Sequence, residues 1–220
     1  MDLCKKGHPR ECGDPEKLDS RLRGNDREKL KLGILASGRG TILNKVIKAI
    51  NNKQLNASIE IIITNREHAP ILQYARNNNI AAKYISSKNK TREEHEQLIS
   101  QALKQYKVDL ILAIGYMRIF STEFINNWRN KIINVHPSLL PAFAGLMDLK
   151  VHEAVLQAGA KQTGCTVHFA NEVIDGGPII AQKRCRVEAT DTPETLKAKV
   201  QKLEGEALVE AIALIHHHKE

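Results

Sequence analysis

The chain has 220 residues, 42% of them hydrophobic, which suits one α/β domain, or one domain with a tail, and is enough for a real core. Its formal charge is +8, but aromatics are 4%, tryptophan is single and the lysines are scattered, so a small phosphorylated or carboxylated ligand fits better than a nucleic acid. No apolar run approaches the roughly 18 residues of a membrane span, the N-terminus lacks the apolar stretch of a secretory signal, and the four cysteines form no redox motif, which together fit a reducing cytoplasm.

Residues 1–29 mix both charges with Gly, Pro and Asn and have almost no apolar periodicity. Such a segment cannot bury enough surface to offset its ordering entropy, so it reads as a disordered extension ahead of a domain over 30–220. Within it, Cys4, His8 and Cys12 fit no common metal spacing.

From Lys31 the chain alternates strand and helix signals. Lys31–Ala36 reads as a strand, followed by the turn Ser37-Gly38-Arg39-Gly40 and a helix near Thr41–Ile50. The β-branched run Ile59–Thr64 is a second strand, Ala69–Asn78 a helix and Ala81–Ile85 a short strand. Thr91-Arg92-Glu93-Glu94 is a capping box opening a helix to about Tyr106. The unbroken apolar run Val108–Ile114 suits a central parallel strand, and a short helix near Ser121–Trp128 leads to a strand at Lys131–Val135. Leu149–Ala158 reads as helix, and Thr166–Ala170 and Pro178–Val187 as strands. Thr192-Pro193 places an N-cap and a first-turn proline before a last helix to about Ile215. The β-α alternation predicts an α/β fold: a single doubly wound, mostly parallel twisted sheet flanked by helices, Rossmann-like in layout. The last two strands are so closely spaced that at least one is expected to run antiparallel.

Three loops are expected to open together at the carboxyl edge of that sheet, where open α/β sheets place their chemistry. In Asn134-Val135-His136-Pro137-Ser138-Leu139-Leu140-Pro141, an amide and an imidazole two residues apart share one face of an extended chain, and the prolines end the strand. The loop Gly38, Arg39, Gly40 and Thr41 offers backbone amides to an anion ahead of a helix N-terminus, although in isolation it reads equally well as a tight turn. Arg118, in Gly115-Tyr116-Met117-Arg118, offers a guanidinium fork. Downstream, Asp175 in Ile174-Asp175-Gly176-Gly177-Pro178 suits a turn former, but paired with His136 it would be an acid/base group that raises the imidazole pKa.

With these motifs assembled, the chain from about Lys31 to Ile215 resembles the folate-dependent phosphoribosylglycinamide formyltransferases. The resemblance rests on the Asn134–Pro141 and Gly115–Ile119 segments, on Thr163-Gly164-Cys165-Thr166-Val167-His168-Phe169 and on Asp175-Gly176-Gly177-Pro178-Ile179-Ile180. It implies the formyltransferase form of the Rossmann-like fold, and transfer of a formyl group from the co-substrate 10-formyltetrahydrofolate to the amine of glycinamide ribonucleotide in purine synthesis. By the same resemblance Asn134, His136 and Asp175 are catalytic, Gly38 to Thr41 cradle the substrate phosphate and Glu204 meets its ribose. Arg92, Met117, Arg118 and Ile119 line the folate site, and Leu140-Pro141 is a cis bond. No metal is implied, nor a nucleic-acid or membrane partner. A monomer or homodimer in the cytoplasm is expected.

The chain departs from the family at Gly40-Thr41-Ile42, where relatives commonly read Gly-Ser-Asn, so Ile42 brings no side-chain hydrogen bond to the phosphate. Met147-Asp148-Leu149-Lys150-Val151 is longer than in common relatives, with His152 expected to begin a helix. Among related enzymes, the formyl-folate deformylase carries an N-terminal regulatory domain for which residues 1–29 are too short. The tRNA formyltransferase carries a C-terminal domain beyond the last helix seen here. A non-catalytic binding module would lack one of Asn134, His136 or Asp175, and a dehydrogenase would need a third glycine and a ribose-binding acid.

Overall fold

The computed structural model describes residues 28–217; the bulk of the 1–29 extension, with Cys4, His8 and Cys12, lies outside the described residues. The elements follow the order β1 (Leu30–Leu35), α1 (Leu43–Asn51), β2 (Ala57–Thr64), α2 (Pro70–Asn77), β3 (Ala82–Tyr84), α3 (Arg92–Gln105) and β4 (Leu110–Ala113). They continue with α4 (Thr122–Asn127), β5 (Ile132–His136), α5 (Leu149–Gln157), β6 (Gln162–Phe169), β7 (Ile179–Arg186) and α6 (Pro193–His217). One seven-stranded sheet has the order β3-β2-β1-β4-β5-β6-β7. Strands β1 to β5 are mutually parallel, whereas β5–β6 and β6–β7 are both antiparallel.

The apolar runs are continuous because the central strands are covered on both faces. Leu32, Ile34, Ile62, Leu110, Leu112 and Ile133 pack with α1, α2 and α6 on one face. Their neighbours Leu35, Ile61, Ile63, Ile111 and Ile132 pack with α3 and α4 on the other. Local signals agree with this layering. Thr91 and Glu94 form the reciprocal capping box that starts α3, and the Ser121 hydroxyl caps α4.

The strand carrying the Thr163–Phe169 segment begins at Gln162, four residues before the expected Thr166. Polar Gln162 and Thr163 and the small Gly164 hide its start from a hydropathy reading. They belong to the sheet because the pairing of β6 with β7 starts at Gln162↔Arg186 and runs unshifted to Val167↔Ala181. Gly164 is there for room: a Cβ on it would lie 1.8 Å from the Lys183 carbonyl oxygen.

The antiparallel β6 also alters how the Asp175 loop reaches the site. That loop does not leave from the carboxyl edge of the parallel strands. It leaves beside the start of β5, where the Ala170 amide donates to the Ile132 carbonyl at 2.9 Å, and returns to His136 at the far end.

Replacing Gly164 with alanine is expected to force β6 and β7 apart, costing about 3 kcal/mol and lowering Tm by roughly 5–10 °C. Thermal denaturation of the variant checks this, and a Tm within one degree of the parent would show that the strand pair yields without cost.

Candidate active site

Period-2 alternation puts Asn134 and His136 on the same face of β5 as Ile132, the face that α3 and α4 cover farther along the sheet. Antiparallel pairing sets His168 of β6 directly opposite Asn134, and Thr166 opposite His136. Four polar side chains therefore share one patch of sheet.

Thr166 is structural. Its hydroxyl donates to the Ser138 carbonyl at 2.7 Å and accepts from the Leu140 amide at 3.0 Å and the Gln182 amide group at 2.9 Å. Gln182 also donates to the Leu140 carbonyl, and the Ser138 hydroxyl to the Ala142 carbonyl. These bonds fix the proline loop, whose Leu140-Pro141 bond is cis as expected.

Beyond this loop the chain delivers two backbone groups to the site. The Phe143 carbonyl lies 3.1 Å from Nε2 of His136, and the Gly145 amide donates to Oδ2 of Asp175 at 2.8 Å. The same carboxylate oxygen lies 3.2 Å from Nδ1 of His136, while Oδ1 lies 3.6 Å from Nε2 of His168. His168 completes the circuit: its Nδ1 lies 2.9 Å from the Phe169 carbonyl, and its Nε2 lies 3.2 Å from Nδ2 of Asn134.

Asp175 raises the His136 pKa, as expected, but the net shift is downward. Both ring nitrogens of His136 face acceptors, an arrangement matched fully only by the doubly protonated ring. Burial of the ring acts against that charge and prevails, lowering the pKa from the ordinary 6.5; Asp175 and the Phe143 carbonyl oppose it, and His168 adds to it. For Asp175, burial pushes upward but is outweighed by the His168 ring, the Gly145 amide and the two nearby imidazoles, so its pKa lies below the ordinary 3.8. The carboxylate is thus the settled charge of the site, and the imidazole is the group in tension.

The other expected residues surround this cluster at different depths. Gly40 has φ +67, and a Cβ there would lie 1.9 Å from Cδ1 of Ile71, so the turn after β1 requires glycine. Among the described residues, no acceptor meets the amides of Gly38, Arg39, Gly40, Thr41 or Ile42, leaving a row of donors before α1. Ile42 packs its side chain against the core, which explains why an apolar residue is tolerated in this loop. A groove of about 460 Å³ opens beside it between α1 and α6, edged by Lys45, Lys48 and Lys202.

Met117 and Ile119 are exposed on the loop after β4, and Arg118 between them is half-buried. Arg92 is exposed at the start of α3; no contact joins it to the cluster around Asp175 among the described residues. Glu204 on α6 is only 7% exposed, and no hydrogen bond satisfies its carboxyl among the described residues. Burial pushes its pKa up to about 7, with Lys197 pulling the other way. His152 lies within α5, buried, rather than at its start.

His168, the Phe143 carbonyl and the Gly145 amide were not singled out from the sequence. His168 had a signal: it alternates with Thr166 along one strand face. The two backbone groups had none, because any residue supplies them.

An amide, two imidazoles and a carboxylate are gathered on a Rossmann-like α/β sheet beside a turn rich in open amides, groups able to hold an anion and to move a proton. Residues 30–212 match the formyl transferase family. A chloroplastic phosphoribosylglycinamide formyltransferase of Arabidopsis thaliana is 37% identical over 191 residues, spanning 84% of this chain and 65% of that protein. The trifunctional purine biosynthetic protein adenosine-3 of Gallus gallus is 37% identical over 188 residues, but this chain spans only 18% of its length. Among solved structures, glycinamide ribonucleotide transformylase 1 from Symbiobacterium toebii superposes with a TM-score of 0.83 at 32% identity, covering 87% of this chain and 89% of that one. The phosphoribosylglycinamide formyltransferase from Brucella melitensis gives 0.80 at 36% identity, covering 86% and 96%. The chain belongs to the formyl transferase family.

Glu204 yields a stability prediction with a definite sign. Its carboxyl keeps its proton to about pH 7 in the folded chain, against an ordinary value of 4.5. The protonated form therefore favours folding fully below 4.5, and that advantage is lost as pH rises through 7. Glu204→Gln should be more stable than the parent at pH 8, by on the order of 3 kcal/mol at most. The gap should close as pH falls toward 4.5. Urea unfolding at pH 5 and pH 8 checks it; a gap that does not change with pH would mean that Glu204 is not the titrating group.

Proposed function

We propose that this chain transfers the formyl group of 10-formyltetrahydrofolate to the primary amine of glycinamide ribonucleotide, a step of purine synthesis. The observation that carries the reading is the convergence of Asn134, His136 and Asp175 through contacts of 3.2–3.6 Å, with His168 joining amide to carboxylate. Family membership and the names of the relatives support it.

The amine nitrogen attacks the formyl carbon, a C–N bond forms, and the carbonyl oxygen becomes an alkoxide. Asn134 donates to that oxygen from its amide, and protonated His136 donates from Nε2. Preorganised donors of this kind are each worth about 3 kcal/mol. The Phe143 carbonyl accepts from Nε2 of His136, so the developing oxyanion takes the place of that carbonyl. Asp175 holds the other face of the imidazole and stabilises its charge as it forms. The attacking nitrogen loses a proton, the folate N10 gains one, and the bond from the formyl carbon to N10 breaks. Atoms and charge balance without a metal or a covalent enzyme intermediate.

The Gly38–Thr41 amides receive the substrate phosphate, with the field of α1 and the nearby lysines behind them. Glu204 receives the ribose hydroxyls, replacing the hydrogen bonds it lacks. Met117, Arg118 and Ile119 flank the folate, and Arg92 faces its glutamate tail. Alignment of the two substrates contributes much of the rate. One chain carries all these groups, so a monomer or homodimer suffices, and both substrates are small, so neither nucleic acid nor membrane takes part. The cytoplasm is the proposed compartment; among the described residues no helix is long and apolar enough to cross a membrane, and Cys165 and Cys185 are free thiols.

Folate absorbance tests the reading. Tetrahydrofolate should be released from 10-formyltetrahydrofolate only when glycinamide ribonucleotide is present. Release without the ribonucleotide would make the chain a hydrolase, and release in neither case would leave a binding module. Asn134→Ala and His136→Ala should each lower kcat on the order of 10²–10³-fold with Tm unchanged within a few degrees. Near-parental turnover in either would remove that residue from the mechanism.

A further inference from the structure

Ser37 immediately precedes the open-amide turn and is only 2% exposed. It lies at the end of β1, between the ends of β2 and β4, and it bonds to both neighbours. Toward β4, its amide donates to the Gly115 carbonyl at 3.3 Å, and its hydroxyl accepts from the Met117 amide at 3.2 Å. Toward β2, the same hydroxyl donates to Oδ1 of Asn65 at 2.7 Å. The one hydroxyl proton is committed to Asn65, so an oxygen lone pair is aimed at Met117. Asn65 thereby sets the rotamer of Ser37, and Ser37 sets the path of Gly115–Met117.

This tie joins two loops with separate duties in the reading given above, on which the inference rests. The Gly38–Thr41 turn receives the phosphate of one substrate, and the Met117–Ile119 loop flanks the other. We propose that Ser37, held by Asn65, is a positioning residue that fixes the two substrate loops relative to each other. It touches neither substrate. The chemistry requires an amine nitrogen and a formyl carbon to meet within about 3–3.5 Å, so the separation of their two loops must be set as closely. The buried Ser37 hydroxyl is a direct bond between them.

The tie has a signature that a purely structural bond lacks. Losing it loosens both loops together, so the affinities for both ligands fall together. Because Asn65 acts through Ser37, removing both partners is no worse than removing one.

The test is calorimetric titration of glycinamide ribonucleotide alone and of 10-formyltetrahydrofolate alone, with Tm measured in parallel. It uses the parent chain, Ser37→Ala, Asn65→Ala and the double variant. Ser37→Ala should weaken both ligands by roughly tenfold, the scale of one hydrogen bond. Asn65→Ala should weaken both by a smaller factor, and the double variant should match Ser37→Ala. An effect on one ligand only, additive losses, or a lowered Tm with both affinities intact would overturn the inference. Asn65 is half-buried at a strand end, so its variant keeps the test readable if Ser37→Ala folds poorly. A parent chain that binds neither ligand would instead refute the substrate assignment, and this inference with it.

Discussion

The carboxylate of Asp175 is the contact around which the site is organised. It lies within 3.6 Å of nitrogens from three separate stretches of chain: the ring of His136 at the end of β5, the ring of His168 in β6, and the Gly145 amide beyond the proline loop. Each would otherwise be a polar group at the edge of an apolar sheet. Without the carboxylate, only the Phe143 carbonyl would oppose the burial of His136, and Nδ1 would lose its partner. Asp175 itself sits at φ +53. That conformation is uncommon for a non-glycine residue, though aspartate tolerates it better than most.

The fold makes this convergence possible by reversing one strand, β6. A sheet parallel throughout would bring every following loop out at one edge. Turning β6 antiparallel places His168 in register with Asn134 and starts the Asp175 loop at the opposite end of β5. The loop therefore crosses the sheet face to reach His136, on a part of the sheet where the α3–α4 layer gives way to loops. Thr166 and Gln182 hold the opposing proline loop, so Phe143 and Gly145 meet the arriving carboxylate from a fixed position.

Most of the scaffold was legible in the residues because the signals were redundant. The apolar runs of β1, β2 and β4 are largely buried, Thr91 and Glu94 mark the start of α3, and Thr192-Pro193 marks the start of α6. The start of β6 was not legible, because Gln162-Thr163-Gly164 is strand by virtue of its pairing with β7 and not by its own hydropathy. In the site, Asn134, His136 and Asp175 stood out from strand alternation and a possible charge pairing, their catalytic roles came from motif resemblance, and the geometry brings them together. The part of His168 depends on a cross-strand register that no local pattern states. The raising effect of Asp175 on His136 was legible, but the net direction was not: the sequence supplies the carboxylate partner and not the depth of burial that outweighs it.

Asp175 raises the affinity of His136 for its proton and so partly offsets the burial of the ring. The most direct test is an NMR titration of the His136 ring nitrogens in the parent chain and in Asp175→Asn. The parent pKa should lie below 6.5 and that of the variant lower still, with the ring neutral over most of the accessible range. A variant in which His136 titrates at the same pH or higher would contradict it, because the carboxylate would then contribute nothing to holding the proton.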